Sequence, residues 1–372
     1  MIRPPGPLQR ATHRRPPCGT AYALAMFAAL GAAPAGALTI TSYDVPGSTS
    51  TSIAGINDAG QFIGADTDAD GGHQFINSAG TISIINVPDA GISVSAINAA
   101  GQVTGIYTTS ANVLEGFIYS GGTLTGFTVP GSEITIASAI NASGQIVGSY
   151  RLGGFHGFLN TAGAITTLDY PGSSATFLTG INAVGDIIGN FVGGDGTSHA
   201  FLDRAGVFSI AEPDGADVGD GPAAINDLGA LVGTDQNARG YLDYAGSISP
   251  VDVPGSDATF PTNINNAGQI AGYYADGDTG QYHGFLYSGG VYTTIDPTGS
   301  TDTQVTGLNN LGQVVGTYGG SDGTTHGFLT GTQPVPEPPT ALDLSLGLAA
   351  LLLVRRRPRL SSTTAATFTK AP

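Results

Sequence analysis

Short apolar runs, several of them alternating with polar residues, are punctuated along most of this chain by Gly, Pro and Asn. The pattern is plain around residue 265. Ser247 to Val253 alternates and stops at Pro254-Gly255, and Thr259 to Ile264 leads into the turn Asn265-Asn266-Ala267-Gly268. Gln269 to Tyr274 precedes a polar loop, and His283 to Tyr287 ends at Ser288-Gly289-Gly290. Such runs, bounded by turn residues, predict β-strands. Thr, Ile, Val, Tyr and Phe fill them, as a pleated, half-buried surface favours. Asn-x-x-Gly between two apolar runs is hairpin chemistry, since Asn and Gly tolerate positive φ. The predicted unit is an up-and-down sheet of four strands.

The unit repeats. Ile-Asn-x-x-Gly-Gln and its variants place Asn57, Asn98, Asn141, Asn182, Asn226, Asn265 and Asn309 at a mean spacing of 42 residues. Each is followed three residues later by one Gly and seven residues later by another, as in Gly60 and Gly64. A second landmark, His-Gly-Phe-Leu, sets Phe75, Phe117, Phe158, Phe201, Tyr241, Phe285 and Phe328. A third, Ile-Thr-Thr-x-Asp-x-Pro-Gly, sets Pro46, Pro88, Pro130, Pro171, Pro213, Pro254 and Pro297. A period near 42 implies a propeller or a solenoid. The two ends decide between them. Thr39 to Gly47 carries the third landmark before the first Asn-x-x-Gly unit, whereas the last unit ends at His326-Gly327-Phe328-Leu329 with no such strand after it. The N-terminal strand completes the last sheet only if the ends meet. The predicted fold is all-β, a seven-bladed β-propeller of ~42-residue four-stranded repeats closed by the N-terminal strand. A solenoid would need capping ends, and none is visible. The second Gly of each unit is expected to permit close sheet-to-sheet packing.

Gly-Ile-Asn-x-x-Gly-Gln-x-x-Gly followed by His-Ala/Gly-Phe resembles the HAF extracellular repeat family. His199-Ala200-Phe201 is the literal triplet, and the resemblance covers about 48–330. It implies bacterial export and a repeat scaffold.

Both ends carry address signals. Arg3, Arg10, Arg14 and Arg15 precede the apolar run Ala21 to Ala33, and Ala35-Gly36-Ala37 follows. This is the order of a secretory signal peptide, with cleavage after Ala37. At the other end, Val335-Pro336-Glu337-Pro338 precedes an apolar segment, Ala341 to Val354, and the cluster Arg355-Arg356-Arg357. This arrangement resembles a PEP-CTERM sorting signal, the substrate tag of exosortase systems. The resemblance implies transient anchoring in the inner membrane, processing by an exosortase-type sorting protease at Pro336, Glu337 and Pro338, and release to the cell envelope or polysaccharide matrix. Arg355, Arg356 and Arg357 would hold the inner end of the span. Two features depart from the family pattern: Asp343 lies inside the span, and fifteen residues follow the arginines. The expected organisation is a signal peptide (1–37), a seven-repeat propeller (38–333), a sorting signal with a short span (334–357) and a polar tail (358–372).

Composition narrows the functions. Of 372 residues 58 are Gly, which opposes a helical bundle, and 41% are hydrophobic, which argues against wholesale disorder. Cys18 is the single cysteine, so there is no disulfide framework. Residues 38–334 hold three arginines against 26 acidic residues, a formal charge of −23. Such a surface repels nucleic acid and favours cations or neutral ligands.

The candidate chemistry is sparse. Asp66-Thr67-Asp68-Ala69-Asp70-Gly71 alternates carboxylates as a calcium loop does, with Gly at the sixth position. Asp66, Asp68 and Asp70 are therefore candidate calcium ligands, although Asn77 stands where the bidentate Glu belongs. The alternative is a solvated hairpin loop. Weaker fragments occur at Asp276 and Asp278 and at Asp214, Asp217 and Asp220. His73, His156, His199, His283 and His326 share one repeat position and are expected to make a structural hydrogen bond within each blade. Gly319-Gly320-Ser321-Asp322-Gly323 matches Gly-x-Ser-x-Gly but lacks the strand-turn-helix setting of a nucleophile. No catalytic set emerges, and near-equivalent blades argue against an enzyme. The expected role is an exported surface or biofilm-matrix scaffold. A second reading is an exopolysaccharide-binding propeller, with Tyr43, Tyr107, Tyr150, Tyr273, Tyr274 and Tyr318 as available stacking platforms. A third is a propeller hydrolase or lyase.

Overall fold

The computed structural model describes residues 38–85, 91–213 and 221–331. The signal segment with Ala35 and Ala37, the sorting segment from Pro336 to Arg357, and Asp214, Asp217 and Asp220 lie outside the described residues. Within them the chain forms 28 β-strands. They make seven four-stranded antiparallel blades, one per repeat, two of which are joined by a single parallel bridge between Leu114 and Ile134. Blade 1 consists of Ser50–Ile56, Phe62–Asp68, Gly71–Ser78 and Thr81–Ile85. Blades 2 to 6 span 92–127, 134–167, 175–210, 222–250 and 256–295. Blade 7 holds Ser300–Leu308, Val314–Gly320 and Thr325–Thr330, and its fourth strand is Ile40–Tyr43 from the other end of the chain.

That closure is antiparallel, with Ile40 opposite Thr330 and Tyr43 opposite Gly327. The expected ring is therefore correct, but the phase of the expected unit is shifted. Ser247–Pro250 pairs with Gly240–Tyr244 as the outer strand of blade 5, and the fourth strand of blade 6 is Val291–Ile295. Each blade thus runs from Asn-bearing inner strand to outer strand, and the Pro-Gly landmark crosses to the next blade. There, Val45, Val129, Tyr170 and Val253 donate their backbone N–H groups to the hydroxyls of Thr51, Thr135, Thr176 and Thr259. All four threonines are fully buried. These four crossovers are each pinned by a satisfied polar group, whereas the equivalent Thr303 of blade 7 is as deeply buried but its hydroxyl has no partner among the described residues.

The core lies mostly between neighbouring blades. Ile63, Ile76 and Ile85 of blade 1 pack on Val94, Val103 and Phe117 of blade 2, and Ile53, Phe62 and Phe75 pack on Val315 of blade 7. The repeat aromatic is buried in every blade, from Phe75 to Phe328.

The second repeat Gly has a different reason from the one expected. All seven inner strands carry a β-bulge, and each bulge begins at the residue facing this Gly: Ile53 opposite Gly64, Ala137 opposite Gly148, Val305 opposite Gly316. The bulge drives a carbonyl toward the neighbouring strand of the same blade. A Cβ on Gly148 would lie 1.9 Å from the Ile136 carbonyl oxygen and 3.0 Å from the Phe158 ring. The constraint is within the blade, not between sheets. Replacing Gly148 by Ala should cost roughly 2–3 kcal/mol, read as a lowered denaturation midpoint. Gly194→Ala, where an added Cβ meets nothing within 4 Å, should stay within about 0.5 kcal/mol of wild type.

Candidate functional site

The inner strands end at the repeat asparagines, which surround the propeller axis. Their first task is local. Asn57 Oδ1 accepts from the backbone N–H of Ala59 (3.1 Å) and Gln61 (3.0 Å), shaping the turn to the second strand. The positive φ falls on Gly60, at 73°, and Asn57 itself is not left-handed. The second task was not legible from the turn. Asn57 Nδ2 donates to the main-chain oxygen of Asn98, Asn98 to that of Asn141, and so on through Asn182, Asn226, Asn265 and Asn309, which donates to Asn57. The seven bonds, at 2.9–3.1 Å, form a closed ring among buried carboxamides. A carboxamide both donates and accepts, and here each one uses both capacities. Aspartate has the shape but lacks the donor. Asn141→Asp would aim a buried carboxylate at the Asn182 carbonyl, and should cost roughly 3 kcal/mol or more of unfolding free energy in chemical denaturation.

The ring floors an axial cavity of about 230 Å³. The residue after each asparagine lines its mouth, and here the symmetry breaks. Asp227, Asn266, Asn310 and Asp58 form one polar arc, while Ala99, Ala142 and Ala183 form the other. Within the arc each side chain accepts from the backbone N–H of the preceding blade: Asp227 from Ala183, Asn266 from Asp227, Asn310 from Asn266, Asp58 from Asn310, all at 2.8–2.9 Å. The arc extends the blade-to-blade lock and uses up most of its own hydrogen-bonding capacity.

Four of the five repeat histidines make the structural bond expected of them, each with a carboxylate as partner, whereas His73 lies 3.8 Å from its nearest carboxylates and does not. His156 Nδ1 lies 2.8 Å from Asp169, His199 Nδ1 2.9 Å from Glu212, His283 Nδ1 2.7 Å from Asp296 and His326 Nδ1 2.9 Å from Asp44. An aromatic ring lies beside each imidazole, as Tyr318 does on His326 with centroids 5.1 Å apart. The Asp44 hydrogen bond raises the pKa of His326, with Asp322 adding to it. A histidine with a raised pKa contributes stability that is complete below its unfolded pKa of about 6.5 and is lost as pH rises through the higher folded value. Since Asp44 follows the closing strand, His326→Gln should lower the melting temperature more at pH 5.5 than at pH 8.5.

The calcium candidates do not form a loop. Asp66 and Asp68 lie two apart on the strand Phe62–Asp68, hence on one face, and Asp70 sits in the hairpin turn, donating its N–H to Asp68 Oδ1 at 2.8 Å. The structure brings Asp66 and Asp68 together with His73, not with Asp70. Asp276 is an Asx-turn residue that accepts from the N–H groups of Asp278 and Thr279, which lower its pKa. Ser321 lies in the turn after the strand Val314–Gly320.

Most tyrosines named as platforms are committed elsewhere. Tyr150 and Tyr318 are buried beside histidines, and Tyr43 packs edge-on against Phe62. Tyr107 donates its hydroxyl to Glu115 at 2.6 Å, which pushes its pKa up to about 12. Tyr273 faces a cavity. It stacks on Phe260 with centroids 5.0 Å apart, and both rings line a cavity of about 440 Å³ between blades 5 and 6. Thr234, Asp235 and Gln236 supply polar groups, as does Thr179, whose hydroxyl already donates to the Pro222 carbonyl at 3.0 Å, and the exposed Tyr282 packs edge-on against Tyr273. The cavity is built from the start of the inner strand and the second-to-third hairpin of blade 5, at the rim opposite the asparagine turns. Pro222–Ile225, that inner strand, has four residues where blades 6 and 7 have nine. Phe260 is not a repeat landmark, so no periodic signal marked it.

These features define a β-propeller, and solved structures agree on the fold. The puromycin-hydrolysing peptidase of Mycobacterium tuberculosis matches at 11% identity and TM-score 0.54, over 78% of this chain and 53% of that one. A prolyl endopeptidase matches at 12% and 0.53, over 73% and 47%. The β-propeller domain of the Trilobed protease from Pyrococcus furiosus, of open velcro topology, matches at 10% and 0.52, over 78% and 100%. This chain spans about half the length of the first two. No family model and no curated protein matches the chain. The two peptidases correct the expectation that this is not an enzyme. Their chains carry the same kind of propeller, so the near-equivalence of blades does not argue against enzymatic activity. The repeated residues here are packing residues, and their symmetry is silent about chemistry in the loops.

Proposed function

We propose that this protein is an exported bacterial surface or biofilm-matrix propeller that holds extracellular polysaccharide in the cavity between blades 5 and 6. The observation that carries the reading is the stacked pair Phe260–Tyr273 in a concave site with hydroxyl and carboxamide groups at its walls. Aromatic faces pack on the apolar faces of sugar rings, while Thr234, Gln236 and Thr179 match their hydroxyls. The charge of the propeller supports a neutral rather than an anionic polymer. Export and sorting rest on the resemblance of the N-terminal segment to a signal peptide and of Pro336-Glu337-Pro338 with Arg355 to Arg357 to a PEP-CTERM signal. In this reading an exosortase-type protease processes the tail after transient anchoring in the inner membrane, and the propeller is delivered to the envelope or matrix.

The test is calorimetric titration of the purified protein with size-defined fragments of the producing bacterium's own exopolysaccharide. Saturable binding is expected, and Tyr273→Ala should weaken it about tenfold or more with the fold intact by circular dichroism. Absence of binding to the unsubstituted protein, or full retention in Tyr273→Ala, would sink the assignment to this cavity.

A further inference from the structure

Blade 1 departs from the histidine pattern in three places at once. Two residues after the bulge glycine, Tyr107, Tyr150, Phe191, Tyr274 and Tyr318 supply a ring in five blades. Blade 1 puts Asp66 there and adds Asp68 two residues on. The landmark that supplies the histidine's carboxylate in blades 3, 4, 6 and 7 has Asn86 in blade 1. His73 is retained. The sequence thus replaces the ring and the carboxylate found at these two positions in its counterparts, and among the described residues His73 faces two carboxylates on the adjacent strand.

The geometry suits a shared ion better than a hydrogen bond. Asp66 and His73 are direct cross-strand partners. His73 Nδ1 lies 3.8 Å from Asp66 Oδ2 and 3.8 Å from Asp68 Oδ1, too far for hydrogen bonding to either. The three donor atoms lie within 4.8 Å of one another, and donor atoms around one ion with bonds of about 2.1 Å sit roughly 3–3.5 Å apart, so the side chains must draw in by about 1 Å. Asp66 supplies a second, independent observation. Its side chain is 3% exposed and reaches toward His73 through Oδ2, while Oδ1 is buried with no hydrogen-bond partner among the described residues. Buried carboxylate oxygens are ordinarily paired, and an unpaired one calls for an ion or another compensating group. Blade 5 gives the contrast. It also places an aspartate, Asp235, at the ring position, but that side chain accepts the N–H groups of Asn237 and Arg239, and Arg239 replaces the histidine.

We propose that Asp66, Asp68 and His73 form a site for one divalent transition-metal ion of the Zn²⁺ type, with its remaining coordination positions open to water. Two carboxylates neutralise a doubly charged ion, and the half-exposed Asp68 and His73 leave a path to solvent. The imidazole nitrogen decides the class. Calcium takes oxygen donors, whereas Zn²⁺ and its neighbours accept imidazole and carboxylate together. Substituting His73 for Asp70 in the expected ligand set thus changes the ion as well as the residue.

The experiment uses the full chain, stripped with chelator and titrated with Zn²⁺, then with Ca²⁺, by isothermal calorimetry. One Zn²⁺ per chain is expected, with Ca²⁺ at least tenfold weaker. His73→Gln and Asp68→Asn should each weaken Zn²⁺ tenfold or more, and Asp70→Asn should leave it unchanged. A measurement on the unsubstituted protein guards against variants that fail to fold: bound Co²⁺ should shift one imidazole N–H proton resonance far outside the diamagnetic range. No saturable Zn²⁺ uptake, uptake that survives His73→Gln, Asp70→Asn abolishing it, tighter Ca²⁺ than Zn²⁺, or the absence of a shifted imidazole signal would each overturn the proposal.

Discussion

Everything in this ring hangs on a carboxamide that donates sideways. An asparagine at the end of each inner strand shapes its own turn with Oδ1 and reaches the next blade's carbonyl with Nδ2. Four-stranded sheets packed face to face could slide, since apolar packing is non-directional. The asparagine bonds fix each inner strand to its neighbour at one point, and the seventh bond, Asn309 to Asn57, requires that the first and last blades be adjacent. The closing strand then has a place to go. Ile40–Tyr43 pairs with Thr325–Thr330 at the outer edge of a blade whose inner edge is already locked to blade 1. Inner and outer closures reinforce one another, and neither is a local property of the sequence.

The same logic explains why the repeat is so strict at some positions and so loose at others. A bulge in every inner strand demands Gly opposite it, and the repeat aromatic lies directly beneath that Gly. These positions fix blade shape. The hairpins between second and third strands and the edges of the inner strands carry no such duty. The differences between blades accumulate there: the ring pair Phe260–Tyr273, the short inner strand of blade 5, and the aspartates of blade 1. The sevenfold asparagine ring at the axis and the individual hairpins at the opposite rim are two consequences of one architecture. That is why blade equivalence could not decide whether the protein is an enzyme.

Much of the fold was legible because its signals are short-range and sevenfold. Turn glycines, the buried aromatic and the crossover Pro-Gly recur at a fixed period, and the orphan strand at Ile40–Tyr43 betrayed the closure. The misreadings were all of partners rather than positions. Gly148 was visible as a required glycine, but the carbonyl that requires it, from Ile136, is displaced by a bulge that no hydrophobic pattern reveals. Asn57 was visible as a turn residue, while its bond to Asn98 spans 41 positions. The alternation Asp66, Asp68, Asp70 looks like a loop of ligands until the strand continues through Asp68. Pairing then replaces the third aspartate with His73 from the returning strand.

Phe260 and Tyr273 show where sequence reading stops for a physical reason. Both sit on strands, at positions where periodicity alone predicts either packing or exposure, and in a propeller the choice depends on what the neighbouring blade offers. Beside the strand Pro222–Ile225 the two rings form the wall of a cavity among the described residues. The site is thus made by the pairing of blade 5 residues with blade 6 residues, not by either segment alone. A motif search, which registers only residues that are present, has no means of finding it.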